Sequence, residues 1–272
     1  MQKTVLLLLV FYFVLNGLAA QSIFEPLGAR NIALANTATT ISDIWSGFHN
    51  PAGISKVDVL TSSVFFQNKY NLEGFNSMAA IIASPIPSGS LAIGVNRFGD
   101  GLYNEHRVSA AYGSQIGIIQ IGGRASYLQY FVQGFGTATT YSLDFGVIAS
   151  LTKTLTIGAN AYNISQSVIS EQDEEEVPTL LMLGIQYKPV EYFFINTEIE
   201  KNLNMPAFVK LGLEYTITER FFLRTGIQSD TFESFYGFGM KFFGFRCDYA
   251  LSLHQELGIS NAISLQYKIQ KQ

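Results

Sequence analysis

The sequence is poor in cysteine and in charge, and each shortage excludes a class of protein. The single Cys247 rules out an intramolecular disulfide framework. Charged residues make up 14% of the 272 residues, whereas soluble domains have about 25%. The net charge of -4 leaves no basic excess for binding nucleic acid. After the N-terminal segment, no apolar run approaches the roughly 20 residues of a membrane-spanning helix.

Motifs for catalysis and for metal binding are also missing. The histidines His49, His106 and His254 do not form a His-Glu-x-x-His motif, and the chain has no Gly-x-Ser-x-Gly nucleophile motif. The acidic run 171–176 lacks the alternating Asp/Asn and the Gly of a calcium-binding loop, which favours a solvated loop. We therefore expect no enzymatic activity, no cofactor and no metal site.

The N-terminus has the pattern of a secretory signal peptide. Lys3 precedes a short apolar run, and small residues ending at Ala20 form a cleavage region. This pattern predicts a signal peptide over residues 1–20, with the mature chain beginning near Gln21.

Most of the remaining chain alternates apolar and polar residues in short segments separated by turn residues. The stretches 154–161 and 263–269 show the two-residue period of a strand whose faces differ. Segments of roughly 9 to 12 residues are long enough to cross a bilayer when tilted. Counting them over residues 57–272 predicts an all-β, antiparallel transmembrane β-barrel of about 14 strands in a bacterial outer membrane, in contact with its lipid. A soluble β-sandwich is the alternative, although its strands are usually shorter.

Charged residues in mid-strand fall on one face, opposite an apolar face. Lys210 and Glu214, for example, oppose Val209, Leu211 and Leu213. Because Arg or Lys on the lipid face costs about 2 to 4 kcal/mol, this pattern assigns eight charges to the barrel interior. They are Asp144, Lys210, Glu214, Arg224, Lys241, Arg246, Asp248 and Lys268. Since both signs occur, we expect them to pair within a filled lumen.

The segment 21–56 does not alternate and is rich in small residues and turn signals. These properties suit a short plug inside the barrel. The residues that we assign to this hatch are Gly28, Arg30, Asp43, Trp45, Asn50, Pro51, Ala52 and Gly53. For Trp45, a packing role is favoured over contact with a ligand.

The order Gly-Ala-Arg, small-residue run, Asp followed by Trp, then Asn-Pro-Ala-Gly resembles the N-terminal hatch of FadL-like outer-membrane barrels. Within these it most resembles the PorV/PorQ-type branch of bacteria with type IX secretion. The resemblance implies a 14-stranded barrel and leaves two functions open. One is an accessory role in protein secretion, with secretion-machinery proteins or secreted cargo as partners, which the mostly short outer loops favour. The other is transport of a hydrophobic ligand across the outer membrane.

Overall fold

The computed structural model describes residues 26–170 and 175–269. The predicted signal peptide, at residues 1–20, lies outside these ranges, as does most of the acidic run. Within the described ranges, no helix is long and apolar enough to span a membrane.

Fourteen antiparallel strands form a closed barrel, which confirms the predicted fold class. The first strand pairs with the last, and each other barrel strand pairs with its neighbours along the chain. The strands of the first half are β1 (Thr61–Asn68), β2 (Asn76–Ile86), β3 (Gly89–Gly99), β4 (Tyr103–Ile116), β5 (Ile119–Val132), β6 (Gly136–Ser150) and β7 (Leu155–Tyr162). Those of the second half are β10 (Leu180–Val190), β11 (Phe193–Asn202), β12 (Phe208–Thr218), β13 (Phe221–Gln228), β14 (Ser234–Phe242), β15 (Phe245–His254) and β16 (Gly258–Lys268).

The two ends of the barrel differ in their connections. Tight turns such as 117–118 and 243–244 lie at the end that also holds the start of β1 and the end of β16. We call this the short-turn end. Longer connections such as 69–75 and 163–179 lie at the opposite, loop end.

The outward face of the barrel is an apolar band. Side chains such as Ile93, Leu183 and Phe238 point away from the lumen and are more than half exposed. Aromatic pairs border the band at the short-turn end, where the rings of Phe245 and Tyr267 lie 4.6 Å apart and those of Tyr192 and Tyr215 lie 5.8 Å apart. An apolar belt with aromatic borders is the surface that a barrel presents to lipid.

The alternation predicts strands over about 57–67 and 154–165, and the structure shortens each of them at one end. The chain pairs with β16 only from Thr61, because Val57 ends a 3-10 helix rather than beginning a strand. Strand β7 ends at Tyr162 because Asn163 adopts a positive φ of 53° and its backbone N–H donates to the Asp144 carboxylate. The register between β6 and β7 therefore begins only at Phe145.

The connection after β7 contains a small sheet that the sequence pattern did not predict. Strands β8 (Val168–Ser170) and β9 (Glu175–Glu176) pair with each other. Beside it, Ile164 N–H donates to the Leu143 carbonyl at 2.8 Å, and Ser165 Oγ accepts from Leu143 N–H at 3.1 Å. We call this connection, residues 163–179, the excursion. It takes the place of a longer β7 along the loop-end half of β6.

Residues 26–56, which precede β1 in the described part of the chain, lie inside the barrel. They form one short α-helix, α1 (Ala29–Ala33), and two 3-10 helices, η1 (Ile44–Gly47) and η2 (Pro51–Lys56). Helix α1 packs on β13 to β16, and η2 packs on β3 to β6. We call residues 26–56 the hatch.

Candidate functional site in the barrel lumen

Glycines on the lumen face allow the hatch to approach the barrel wall closely. A Cβ atom added to Gly122 would lie 2.5 Å from the Ala52 nitrogen, and one added to Gly158 would lie 2.5 Å from the Thr39 carbonyl oxygen. The glycines that meet the hatch in this way, at mid-strand positions, are Gly94, Gly113, Gly122, Gly146, Gly158, Gly184, Gly212, Gly226 and Gly237. We call this set the glycine belt.

The Asn-Pro-Ala-Gly motif fixes the hatch to the belt. Asn50 caps η2 by accepting from Ala52 N–H at 3.1 Å, and its amide donates to the Thr39 carbonyl at 2.7 Å. The same amide donates to the carbonyls of Val147 and Ala159 on β6 and β7, each at 3.3 Å. Pro51 occupies the first helical position, where its missing N–H costs no hydrogen bond.

Gly53 and Gly28 are required by close packing within the hatch. A Cβ atom at Gly53 would lie 2.5 Å from Ser46 Oγ, and one at Gly28 would lie 2.6 Å from Trp45 Cγ. Gly28 also has a φ of 89°, which side-chain-bearing residues rarely adopt. The Trp45 ring packs edge-on against Phe65 of β1, with centroids 5.8 Å apart.

An alternating chain of charges connects the hatch to three barrel strands. Arg30 contacts Asp43 at 3.1 Å and Glu214 at 2.9 Å. Arg224 contacts the same Glu214 at 2.5 Å and Asp248 at 2.9 Å, and Asp248 contacts Arg246 at 2.7 Å. The structure thus brings together six residues that the sequence assigned separately to the hatch and the lumen.

Two further charge clusters hold other parts of the hatch. Asp144 pairs with Arg124 at 2.5 Å, and Arg124 donates to the Gly47 carbonyl at 3.1 Å. Lys210 pairs with Glu198 and Glu200, and Glu198 accepts from Thr39 N–H at 2.9 Å.

Sequence reasoning missed Arg124, Glu198 and Glu200. Arg124 and Glu198 are buried in mid-strand, and the same rule of charge opposite an apolar face would have found them.

Lys241 and Lys268 lie at the rim of the lumen rather than in its filled centre. Both are on the lumen-facing side of their strands but are exposed, because Lys241 is the second-last residue of β14 and Lys268 is the last residue of β16, at the short-turn end. Lys268 contacts Asp58 at 3.8 Å, and the Lys241 ammonium lies 4.7 Å from the centre of the Phe222 ring.

Two titratable groups of the hatch are shifted by their surroundings. Burial lowers the pKa of the His49 imidazole to about 4, and the charge of Arg124 acts in the same direction. The Leu27 carbonyl, 2.6 Å from His49 Nε2, opposes that shift and requires a proton on Nε2. For Arg30, burial lowers the guanidinium pKa, but the carboxylates of Glu214 and Asp43 outweigh it and raise the pKa overall.

An apolar cluster lies inside the wall near the loop end, beneath the excursion. Its buried members, together with the partly buried Ile169, are Leu128, Tyr130, Tyr162, Val177, Leu180 and Met182. Met182 also borders a chamber of about 180 Å³ between the hatch and the loop end. Hatch residues His49 and Asn50 line this outer chamber, as do Phe208 and Phe235 of the wall.

No group of three or more potential metal ligands occurs in the part of the chain that the structure describes. The described lumen holds charge clusters, amides and apolar side chains, with further lysine and arginine side chains at the short-turn end.

The fold is similar to those of several solved proteins. The toluene transporter TbuX of Ralstonia pickettii superposes with a TM-score of 0.69 at 11% identity, covering 91% of this chain and 99% of that one. The monoaromatic hydrocarbon channel CymD gives a TM-score of 0.69 at 11% identity, with coverages of 90% and 98%. A FadL homologue of Pseudomonas aeruginosa gives a TM-score of 0.63 at 10% identity, with coverages of 90% and 99%.

Sequence comparison adds no relative. No family model matches the chain, and no curated protein matches it. At these identities the likeness concerns architecture. The chain has the FadL-like fold of a closed, 14-stranded barrel.

Proposed function

We propose that this protein is a non-enzymatic outer-membrane channel for small hydrophobic compounds. The observation that carries the proposal is the apolar cluster inside the barrel wall, at a level where a water-filled porin would be polar. The cluster is buried and meets the outer chamber at Met182, so in this proposal an apolar compound in the chamber lies next to apolar side chains of the wall.

The size of the outer chamber suits a small ligand. An apolar cavity of about 150 Å³ holds a benzene ring. The outer chamber has about 180 Å³, and its lining mixes apolar side chains such as Met182 and Phe208 with polar ones such as Glu200 and Lys210. The hatch forms its floor and is held to the wall by hydrogen bonds and ion pairs. In this proposal the hatch is the internal gate, and its wall contacts must be exchanged for passage.

The structural neighbours support transport over an accessory role in secretion. Those reported above are a toluene transporter, a monoaromatic hydrocarbon channel and a FadL homologue. None of these three supports the PorV/PorQ-type function, so hydrophobic-compound transport replaces it as the leading proposal.

Uptake of labelled toluene by bacteria that produce the protein tests this function. We expect faster uptake than in cells carrying an empty vector. Met182→Gln and Leu128→Asn, which keep side-chain size but introduce an amide, should each reduce the protein-dependent uptake about tenfold, because a buried unpaired amide is costly. Met205→Gln is the matched control, since Met205 is exposed in a loop-end connection.

Two results would count against the proposal. One is toluene uptake by the intact protein that does not exceed the vector control. The other is equal uptake by the M182Q, M205Q and unchanged proteins. Co-purification of secretion-machinery proteins, together with absent uptake, would instead favour the accessory role.

A further inference from the structure

The short-turn end of the lumen contains a second chamber of different character. Its volume is about 520 Å³, and it lies between the hatch and the β12–β13 and β14–β15 turns. Six of its lining side chains are basic and two, Asp43 and Glu219, are acidic. The basic residues are Arg30, Lys56, Arg220, Lys241, Arg246 and Lys268. We call this space the mouth chamber.

Half of these cations already have a carboxylate partner. Arg30 pairs with Asp43 and Glu214, Arg246 with Asp248, and Lys268 with Asp58. By contrast, Lys56, Arg220 and Lys241 form no ion pair with any residue in the described ranges. These three come from the hatch, the β12–β13 turn and β14, so they border the chamber from different sides.

The surroundings strengthen the field of these cations. The chamber is bounded by the barrel wall and by Phe242, Phe243 and Phe245 of the β14–β15 turn. A cleft in which one sign of charge is in excess, within low-dielectric walls, concentrates counter-ions. Several cations converging on one space favour an anion that carries more than one charge, and Arg and Lys are the side chains that bind phosphate.

We propose that the mouth chamber binds a phosphate group, with Lys56, Arg220 and Lys241 as its principal contacts. Phosphate is held between the hatch and the wall, with Arg30 and Arg246 adding positive field while they keep their own carboxylates. This site lies on the opposite side of the hatch from the apolar cluster, and the inference does not rest on transport of hydrophobic compounds.

Calorimetric titration of the purified full-length protein in non-ionic detergent, at constant ionic strength, tests the site with pyrophosphate as the soluble probe. We expect saturable binding. We expect Arg220→Gln and Lys241→Gln each to weaken the affinity about tenfold, since the loss of one hydrogen bond to a charged group weakens binding by about that factor. Lys153→Gln is the matched control. It removes the same charge at the short-turn end, from the β6–β7 turn outside the mouth chamber, and should leave the affinity within about twofold.

A second titration identifies the source of the phosphate. Short-chain phosphatidylglycerol that binds and competes with pyrophosphate assigns the site to a lipid headgroup. Binding of pyrophosphate alone assigns it to a free phosphate compound. Absence of saturable binding by either probe overturns the proposal, as does equal weakening by K153Q, R220Q and K241Q. Heat-modifiable gel migration of each variant confirms that its barrel is folded.

Discussion

At the scale of the residue, Gly122 and Gly123 are adjacent on β5 but face opposite sides of the wall. A Cβ atom at Gly122 would meet hatch backbone, whereas one at Gly123 would have its nearest neighbour, the Asp144 carbonyl oxygen, at 3.7 Å. Gly122→Ala should therefore lower the free energy of unfolding by about 1 to 3 kcal/mol through overpacking, and Gly123→Ala should leave it nearly unchanged.

Denaturant unfolding in detergent measures this difference. Trp45 is the only tryptophan of the chain and is buried in the hatch, so its fluorescence reports separately on hatch docking. Equal destabilisation by the two alanine variants would show that the glycine belt is not set by the hatch.

We expect His49 to make docking of the hatch dependent on pH. Its folded-state pKa of about 4 lies below the ordinary value of 6.5, so an undocked hatch takes up a proton before the docked hatch does. The stabilisation is complete above about pH 6.5 and is lost as the pH falls to about 4, by up to about 3 kcal/mol. Trp45 fluorescence should accordingly shift to longer wavelength over this range.

Two histidine variants check the origin of that shift. His49→Gln keeps an N–H donor for the Leu27 carbonyl but cannot be protonated, so it should flatten the pH dependence. His106→Gln changes a histidine outside the hatch and should leave the titration as in the unchanged protein. An H49Q protein that titrates as before would assign the effect to another group.

At the level of residues, one physical rule assigned several charges to the lumen from the sequence. Charge in mid-strand opposite apolar residues assigned Glu214, Arg224 and Asp248 to the lumen, and in the structure all three side chains are buried. The pairing of Arg30 with Glu214 could not be predicted, because it joins residues far apart in the chain and depends on the position of the hatch.

At the scale of the element, strand β10 has outward-facing residues both at the middle of the apolar band and at its short-turn border. Leu183 lies in the middle of the strand and faces outward, while Val190 also faces outward but lies at the short-turn end. Leu183→Arg should lower the free energy of unfolding in lipid vesicles by about 2 to 4 kcal/mol, and Val190→Arg by about 0 to 1 kcal/mol, because the cost of a charge falls towards the interface. Reversible unfolding by guanidinium measures both.

An equal cost for the two arginine variants would contradict the depth assigned to β10. The matched pair also tests the apolar band itself, since both positions carry the same substitution on the same strand.

The strands themselves could be read from the two-residue period, but their ends depended on contacts that the period does not encode. Strand β7 stops at Tyr162 because Asp144 of a neighbouring strand accepts from Asn163 N–H. The same applies to the excursion, in which Ser165 and Ile164 replace ladder partners of Leu143.

At the scale of the whole molecule, the barrel and the hatch form one filled body. Deletion of residues 21–56 should convert a protein with little ion conductance into one with a large, stable conductance in planar bilayers, because the deleted segment includes the entire described hatch. The intact protein is the control, and heat-modifiable migration verifies that the shortened barrel is closed. An unchanged conductance would show that other residues seal the lumen.

The three charge clusters that bind the hatch to the wall also indicate an order of folding. The side chains of Glu214, Arg124 and Glu198 each form hydrogen bonds with hatch atoms. The glycine belt leaves space that the hatch fills. The hatch precedes every strand along the chain, and the barrel closes by joining β1 to β16. We therefore expect the hatch to act as a template during folding. The strands would assemble around it before β1 pairs with β16.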